Sequence, residues 1–166
     1  MLEVRKNTFA RSHENVFFRE FSKHLFNAFK EKNIEGLLIG SPSCEVDERL
    51  QIDALLITSN VVCIIDFKDY KGVVNLPDIN YFKNGHWTTE EGVLIKGGNS
   101  INPYGQLRFQ KKRFVDVCNR YVCPEIINPN IFNPFHAIRA ICFHGEIKLN
   151  GEIPPSDKLN FFILFK

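Results

Sequence analysis

The chain contains no apolar run near the roughly 18 residues that a membrane span requires, and its opening MLEVRKNTFARSHEN lacks the apolar core of a secretion signal. It has no G-x-x-x-x-G-K-[ST] phosphate loop, hence no ATPase site of its own, and no HExxH pair or nucleophile-base spacing among its histidines. Paired CxxC motifs are absent as well: Cys118 and Cys123 stand five apart with no matching second pair, which argues against a zinc site. The 5 cysteines are odd in number, and Cys63 and Cys142 fall inside apolar runs. That usage suits reduced thiols in a soluble cytoplasmic protein, not a disulfide framework. A strong charge of either sign is also missing. The 21 Lys and Arg against 19 Asp and Glu leave only +2, so any claim about nucleic acid depends on where the charges lie.

What is present is a chain of 166 residues, 44% hydrophobic and 24% charged, suited to one domain with a proper core. Its organising stretch is 51–72, QIDALLITSNVVCIIDFKDYKG. Two apolar β-branched runs, 52–58 and 61–67, flank Ser59 and Asn60, which predicts two strands joined by a tight hairpin. Asp53 stands at the start of the first strand. Asp66 and Lys68 stand at the end of the second, two apart and so on one side of it. Two carboxylates and an ammonium at the mouth of an apolar sheet suit a divalent metal and a phosphate. Taken alone, Asp66 and Lys68 read first as an exposed strand-end ion pair worth about 0 to 1 kcal/mol.

The spacing of Phe18, Phe21, Leu25, Ala28 and Phe29 predicts an amphipathic helix over 12–32, with Ser12 as its cap. At 100° per residue Glu14 falls within about 40° of Phe18, Phe21 and Leu25, on the buried stripe, whereas Glu20 turns about 120° away. Gly36 is expected to end the helix region, with a short strand at 37–39 and a polar loop at 44–49. Weak strand candidates follow at 73–76, 81–83, 85–88 and 92–95, with Trp87 as a packing anchor and Gly97-Gly98 as a flexible turn. Asn102-Pro103 opens a second helix over 103–122, whose expected stripe is Leu107, Phe114, Val117, Cys118 and Tyr121, with Gln106 and Gln110 on its margin. Arg108, Lys111, Lys112, Arg113 and Arg120 against Asp116 give this segment a local +4 that the total conceals; a solvated helix face is the plain alternative. Pro124, Pro129 and Pro134 punctuate a loop, after which strands are expected at 136–143 and 159–165. The last run stops at Lys166 without a closing polar segment, as expected of the N-terminal part of a longer protein or of a chain that ends directly in a sheet.

Taken in order, His13-Glu14, Gln51-Ile52-Asp53, Ile65-Asp66-Phe67-Lys68 with Gly72, Trp87, Asn102-Pro103-Tyr104-Gly105-Gln106 and Phe143-His144-Gly145 form a specific series. It resembles the nuclease-related domain (NERD) family of the PD-(D/E)xK nuclease superfamily. There a GE helix start, a QID strand, an IExK strand with a downstream Gly, a Trp and an NPxxQ helix start follow in the same order. Two positions depart: Asp66 stands where glutamate is more usual, and His13 where glycine is common.

The resemblance implies an α/β, restriction-endonuclease-like sandwich with a mixed central sheet, in which the hairpin is central and the two helices cover it. It implies a Mg²⁺- or Mn²⁺-dependent nuclease acting on DNA. Asp53, Asp66, the Phe67 carbonyl and Glu14 would ligate the metal. Lys68 would hold the attacking water or stabilise developing charge, and Gln106 would orient the nucleophile or the Lys68 ammonium. Arg108, Lys111, Lys112 and Arg113 would meet neighbouring phosphates. It also implies a helicase-type domain in the same polypeptide. A silent nucleic-acid-binding module and an assembly domain are the alternatives from other classes.

Overall fold

The computed structural model describes residues 1–9, 12–42, 50–122 and 132–165. The loop expected at 44–49, together with Cys123, Pro124 and Pro129, lies outside them. The chain divides into two compact units, Met1–Ile65 with Gln110–Ile138, and Asp66–Phe109 with Arg139–Lys166.

Unit one holds strand β1 (Leu2–Lys6), helix α1 (Ser12–Glu31), strands β2 (Gly36–Gly40) and β3 (Ala54–Thr58), and the first residues of β4 (Val62–Lys68). Its strands run in the order β1-β2-β3-β4. β1 and β2 are parallel, Leu2 opposite Gly36, a pairing that needs a crossover, which α1 supplies. β2 with β3 and β3 with β4 are antiparallel. The expected hairpin is present, Ala54 opposite Ile65 and Ile57 opposite Val62. Its turn closes where Thr58 N–H donates to the Val61 carbonyl at 2.8 Å and Val61 N–H donates to Thr58 Oγ1 at 3.0 Å. Leu38, Ile64 and Ile65 are fully buried, each worth about 1.5–3 kcal/mol relative to exposure.

Helix α1 lies against β1 and β2 through Phe18 and Phe29. The expected terminator, Gly36, has a different role. The helix ends at Glu31, and Asn33 just beyond it turns to φ +52° so that Ile34 N–H donates back to the Phe29 carbonyl at 2.9 Å. Gly36 is instead the first residue of β2, where a Cβ would stand 2.7 Å from the Phe29 ring. Strand β1 has only Leu2 buried, which leaves a charged edge without a clear sequence signature.

Unit two contains the end of β4, β5 (Gly72–Asn75), β6 (Thr88–Thr89), the start of helix α2 (Pro103–Tyr121), β7 (Ile138–Phe143, from Arg139 onward), β8 (Ile147–Asn150) and β9 (Phe161–Leu164). A small sheet runs β6-β5-β8; β7 neighbours the end of β4, and β9 pairs parallel to β7. The candidate strand at 81–83 is replaced by a 3₁₀ turn, Ile79–Tyr81, capped by Asp78, whose side chain accepts from Asn80 N–H. Another 3₁₀ turn, Pro134–His136, occupies the start of the strand expected at 136–143. Trp87 is the expected anchor. With Phe82, Tyr104 and Phe161 it forms an aromatic cluster, ring centroids 5.1–6.4 Å apart.

The mixed sheet with two long helices is the α/β, restriction-endonuclease-like class expected from the sequence. On α2 the buried positions are Pro103, Tyr104, Leu107, Gln110, Val115 and Cys118, while Tyr121, expected on the stripe, is exposed. A buried glutamine accounts for the misplaced stripe: in unit one, Gln110 Oε1 accepts the Gln51 N–H at 3.0 Å, so an amide occupies a core position.

Candidate functional site

Asp66 and Lys68 are i and i+2 on β4, so their side chains leave the same face of the strand. Lys68 Nζ lies 2.7 Å from Asp66 Oδ2, with side-chain exposures of 12% and 6%. The alternative of an exposed strand-end pair therefore fails. A buried pair loses hydration that Coulomb attraction recovers only when further polar groups complete the set. Gln106 adds two such contacts: its Nε2 donates to Asp66 Oδ1 at 2.9 Å and its Oε1 accepts from Lys68 Nζ at 3.0 Å. The three side chains close a ring. Only one orientation of the amide serves both neighbours, since turning it over would set oxygen against carboxylate and N–H against ammonium.

Gln106 arrives through a heavily fixed helix start. Asn102 is fully buried, and its Oδ1 accepts the Gly105 N–H at 2.8 Å, capping α2. Its Nδ2 donates to the Gly85 carbonyl at 2.7 Å and, more weakly, to those of Phe82 and Lys83. Pro103 follows at the first helical position, where its missing N–H costs nothing. Gly97-Gly98, expected as a flexible turn only, is a close-packing site. A Cβ on Gly97 would collide with the Asn102 carbonyl oxygen and stand 2.8 Å from Gln106 Cβ.

The remaining sequence-derived residues are placed as follows. Phe67 is buried between Asp66 and Lys68 on β4. Asp53 belongs to unit one, half-buried directly ahead of β3, its carbonyl accepting the Ser41 N–H at 2.7 Å. Glu14, also in unit one, is half-buried in the first turn of α1. Arg108 is exposed in unit two; in unit one Lys112 is exposed and Lys111 and Arg113 are half-buried.

The chemistry of the donor set accommodates a hard divalent cation. Asp66 offers hard carboxylate oxygens, and Mg²⁺ commonly takes only one or two carboxylates with water and phosphate. Among the described residues no group of three or more His, Cys, Asp or Glu stands close enough to hold a metal by itself.

Sequence reasoning missed a second polar group in unit two. Asp157, 4% exposed, accepts from Tyr104 Oη at 2.6 Å through Oδ1. Its Oδ2 accepts from Ser156 Oγ at 3.1 Å and pairs with Lys83 Nζ at 3.2 Å. Burial raises its carboxyl pKa, but the hydrogen bonds from Tyr104, Lys83 and Ser156 and the Lys83 charge outweigh this and hold it below the usual carboxylate range. The Arg139 guanidinium lies 3.8 Å from Asp157 Oδ1, donates to Asn160 Oδ1 at 2.8 Å and stacks 4.8 Å from the Tyr104 ring centre. The only local hint was a Pro-Pro-Ser-Asp turn.

Cys63 and Cys118 are buried thiols and Cys142 a half-buried one, with loss of hydration pushing Cys63 up to about 12 and Cys142 up to about 11. No helix among the described residues is long and apolar enough to cross a membrane. No curated protein and no solved structure matches the chain. A model of the nuclease-related domain, NERD, matches residues 12–142, a span that includes β4, the Asn102-Pro103 helix start and the ring formed by Asp66, Lys68 and Gln106. With most of its length inside that match, the chain belongs to the nuclease-related domain family.

Proposed function

We propose that the chain is a metal-dependent deoxyribonuclease that hydrolyses DNA phosphodiester bonds. The observation that carries this reading is the closed, buried ring of Asp66, Lys68 and Gln106. A strand-end carboxylate and ammonium locked by an amide are costly to bury for stability alone, and are suited to holding charge at a reaction centre. Asp66 would hold Mg²⁺ or Mn²⁺, with Asp53, Glu14 and the Phe67 carbonyl as the further ligands that the family resemblance implies. A bound ion would supply Lewis acidity toward the scissile phosphate and a lowered pKa for water. Lys68 keeps a third N–H beyond its contacts with Asp66 and Gln106, available to a phosphate oxygen or a water. Gln106 fixes where that ammonium points. Arg108, Lys111, Lys112 and Arg113 would bind flanking phosphates without regard to sequence, and a helicase-type domain would act in the same polypeptide.

Incubation of the pure protein with linear, nicked and single-stranded DNA and Mn²⁺ tests the reading. Cleavage that disappears in Asp66→Ala and Lys68→Ala variants is expected; cleavage no greater than that of the variants sinks it.

A second reading, a silent nucleic-acid-binding module, draws support from both Asp66 oxygens being in contact with partners and from the missing three-ligand cluster among the described residues. It predicts salt-dependent DNA retention that survives Asp66→Ala.

A further inference from the structure

Unit two contains two buried polar groups, the Asp66–Lys68–Gln106 ring and the Asp157 group, and both reach the first turn of α2. Tyr104 and Gln106 are two residues apart on that turn. Gln106 reaches the ring, while Tyr104 is gripped from the other group by its hydroxyl and by its ring, which lies 5.1 Å from Phe161, 5.2 Å from Phe82 and 4.8 Å from the Arg139 guanidinium. A helix start held only by its cap retains freedom to roll or fray. Tyr104 removes that freedom one residue pair before Gln106. Asp157, Asn160 and Phe161 all lie beyond residue 142, where the family match ends, so part of this clamp stands outside the matched span.

We infer that Asp157 is a positioning residue: through the Tyr104 hydroxyl it fixes the first turn of α2 and so sets the Gln106 amide between Asp66 and Lys68. The inference rests on the proposed nuclease reading for its consequence in catalysis, but not for its geometry. Asp157 provides the acceptor, Lys83 and Ser156 hold its second oxygen, and the Arg139 guanidinium stands 3.8 Å from the first. The arrangement is preorganisation: the bonds are formed before any substrate arrives, so orienting Gln106 adds nothing to the barrier during reaction.

Tyr104→Phe deletes one hydroxyl and keeps the ring, making it the gentlest test. Asp157→Asn keeps an acceptor oxygen for Tyr104 and serves as the conservative rescue, with Asp157→Ala as the severe variant. The side-chain amide resonances of Gln106 are read by ¹H-¹⁵N NMR, assigned by their loss in Gln106→Ala. The inference expects them to move or broaden in Tyr104→Phe and to return toward wild type in Asp157→Asn, while the far-ultraviolet spectra of folded protein stay alike. Unmoved Gln106 resonances in folded Tyr104→Phe overturn it. Where wild type cleaves DNA, Tyr104→Phe is expected to lower kcat on the order of 10-fold to 100-fold with KM unchanged; a rise in KM at constant kcat also overturns it. Wild type that fails to cleave sinks the nuclease reading alone, because the resonance test stands without it.

Discussion

Unit one and unit two solve the same problem of burial with different chemistry. Unit one packs aliphatic strands, with Leu38, Ile64 and Ile65 fully covered, against a helix faced by Phe18 and Phe29. Unit two packs rings around charge: Trp87, Phe82 and Phe161 enclose a neighbourhood that also buries Asn102, Arg139 and Asp157. An aliphatic core tolerates exchange of similar volumes, whereas a core of satisfied polar groups fixes orientation and fails when one partner is removed. The Asp66, Lys68 and Gln106 ring, which depends on orientation, lies wholly in unit two.

The largest effect is expected at Phe161, which touches Phe82, Trp87 and Tyr104. In urea unfolding, Phe161→Ala should cost about 3–5 kcal/mol, and Leu38→Ala in unit one about 2–5 kcal/mol. A loss under about 1 kcal/mol at Phe161 would break the comparison.

Polar truncations sharpen it. Asn102→Ala removes a cap and strips buried carbonyls of a donor, for about 2–4 kcal/mol, while Gln110→Ala in unit one, which frees a single N–H, should cost about 1–3 kcal/mol. Equal losses at the two sites would say that polar burial matters no more in unit two than in unit one.

Acid comes next. The Asp157 carboxyl is depressed in the folded protein, so its contribution is present above the unfolded-state value and is lost as pH falls through the lower folded value. Stability should fall as pH drops below about 4, and less steeply in Asp157→Asn. Parallel curves for the two proteins would contradict that assignment.

The smallest effect is kinetic. With Cys63 held up to about 12 in unit one and Cys142 up to about 11 in unit two, native alkylation at pH 8 should be slow at both, slower at Cys63, as read by peptide mass mapping. Faster labelling of Cys63 than of Cys142 would reverse the order.

How much the sequence discloses follows the same division. Apolar runs bounded by Ser59-Asn60 betray the hairpin, and the three-and-four spacing betrays α1, because each pattern is local. The Asn102-Pro103 start of α2 is legible for the same reason. Tyr104 and Asp157 are 53 residues apart, and a single buried hydrogen bond leaves no period in the chain. Gly97 reads as a turn because nothing local reveals that Gln106 packs on its backbone. Val115 replaces Tyr121 on the buried face because Gln110, a polar residue, takes a core position. Of the candidate site, Asp66, Lys68 and Gln106 were readable through motif order, and the structure adds that the three bond to one another.

The central claim, that Asp66, Lys68 and Gln106 act as one device, is tested most directly by a double-mutant cycle in single-turnover DNA cleavage with Mn²⁺. Wild type, Lys68→Ala, Gln106→Ala and the double variant are compared as folded proteins. The account predicts that the double variant is no slower than the slower single variant, since either change already opens the ring. Losses that multiply, or a Gln106→Ala variant that cleaves at the wild-type rate, would contradict it.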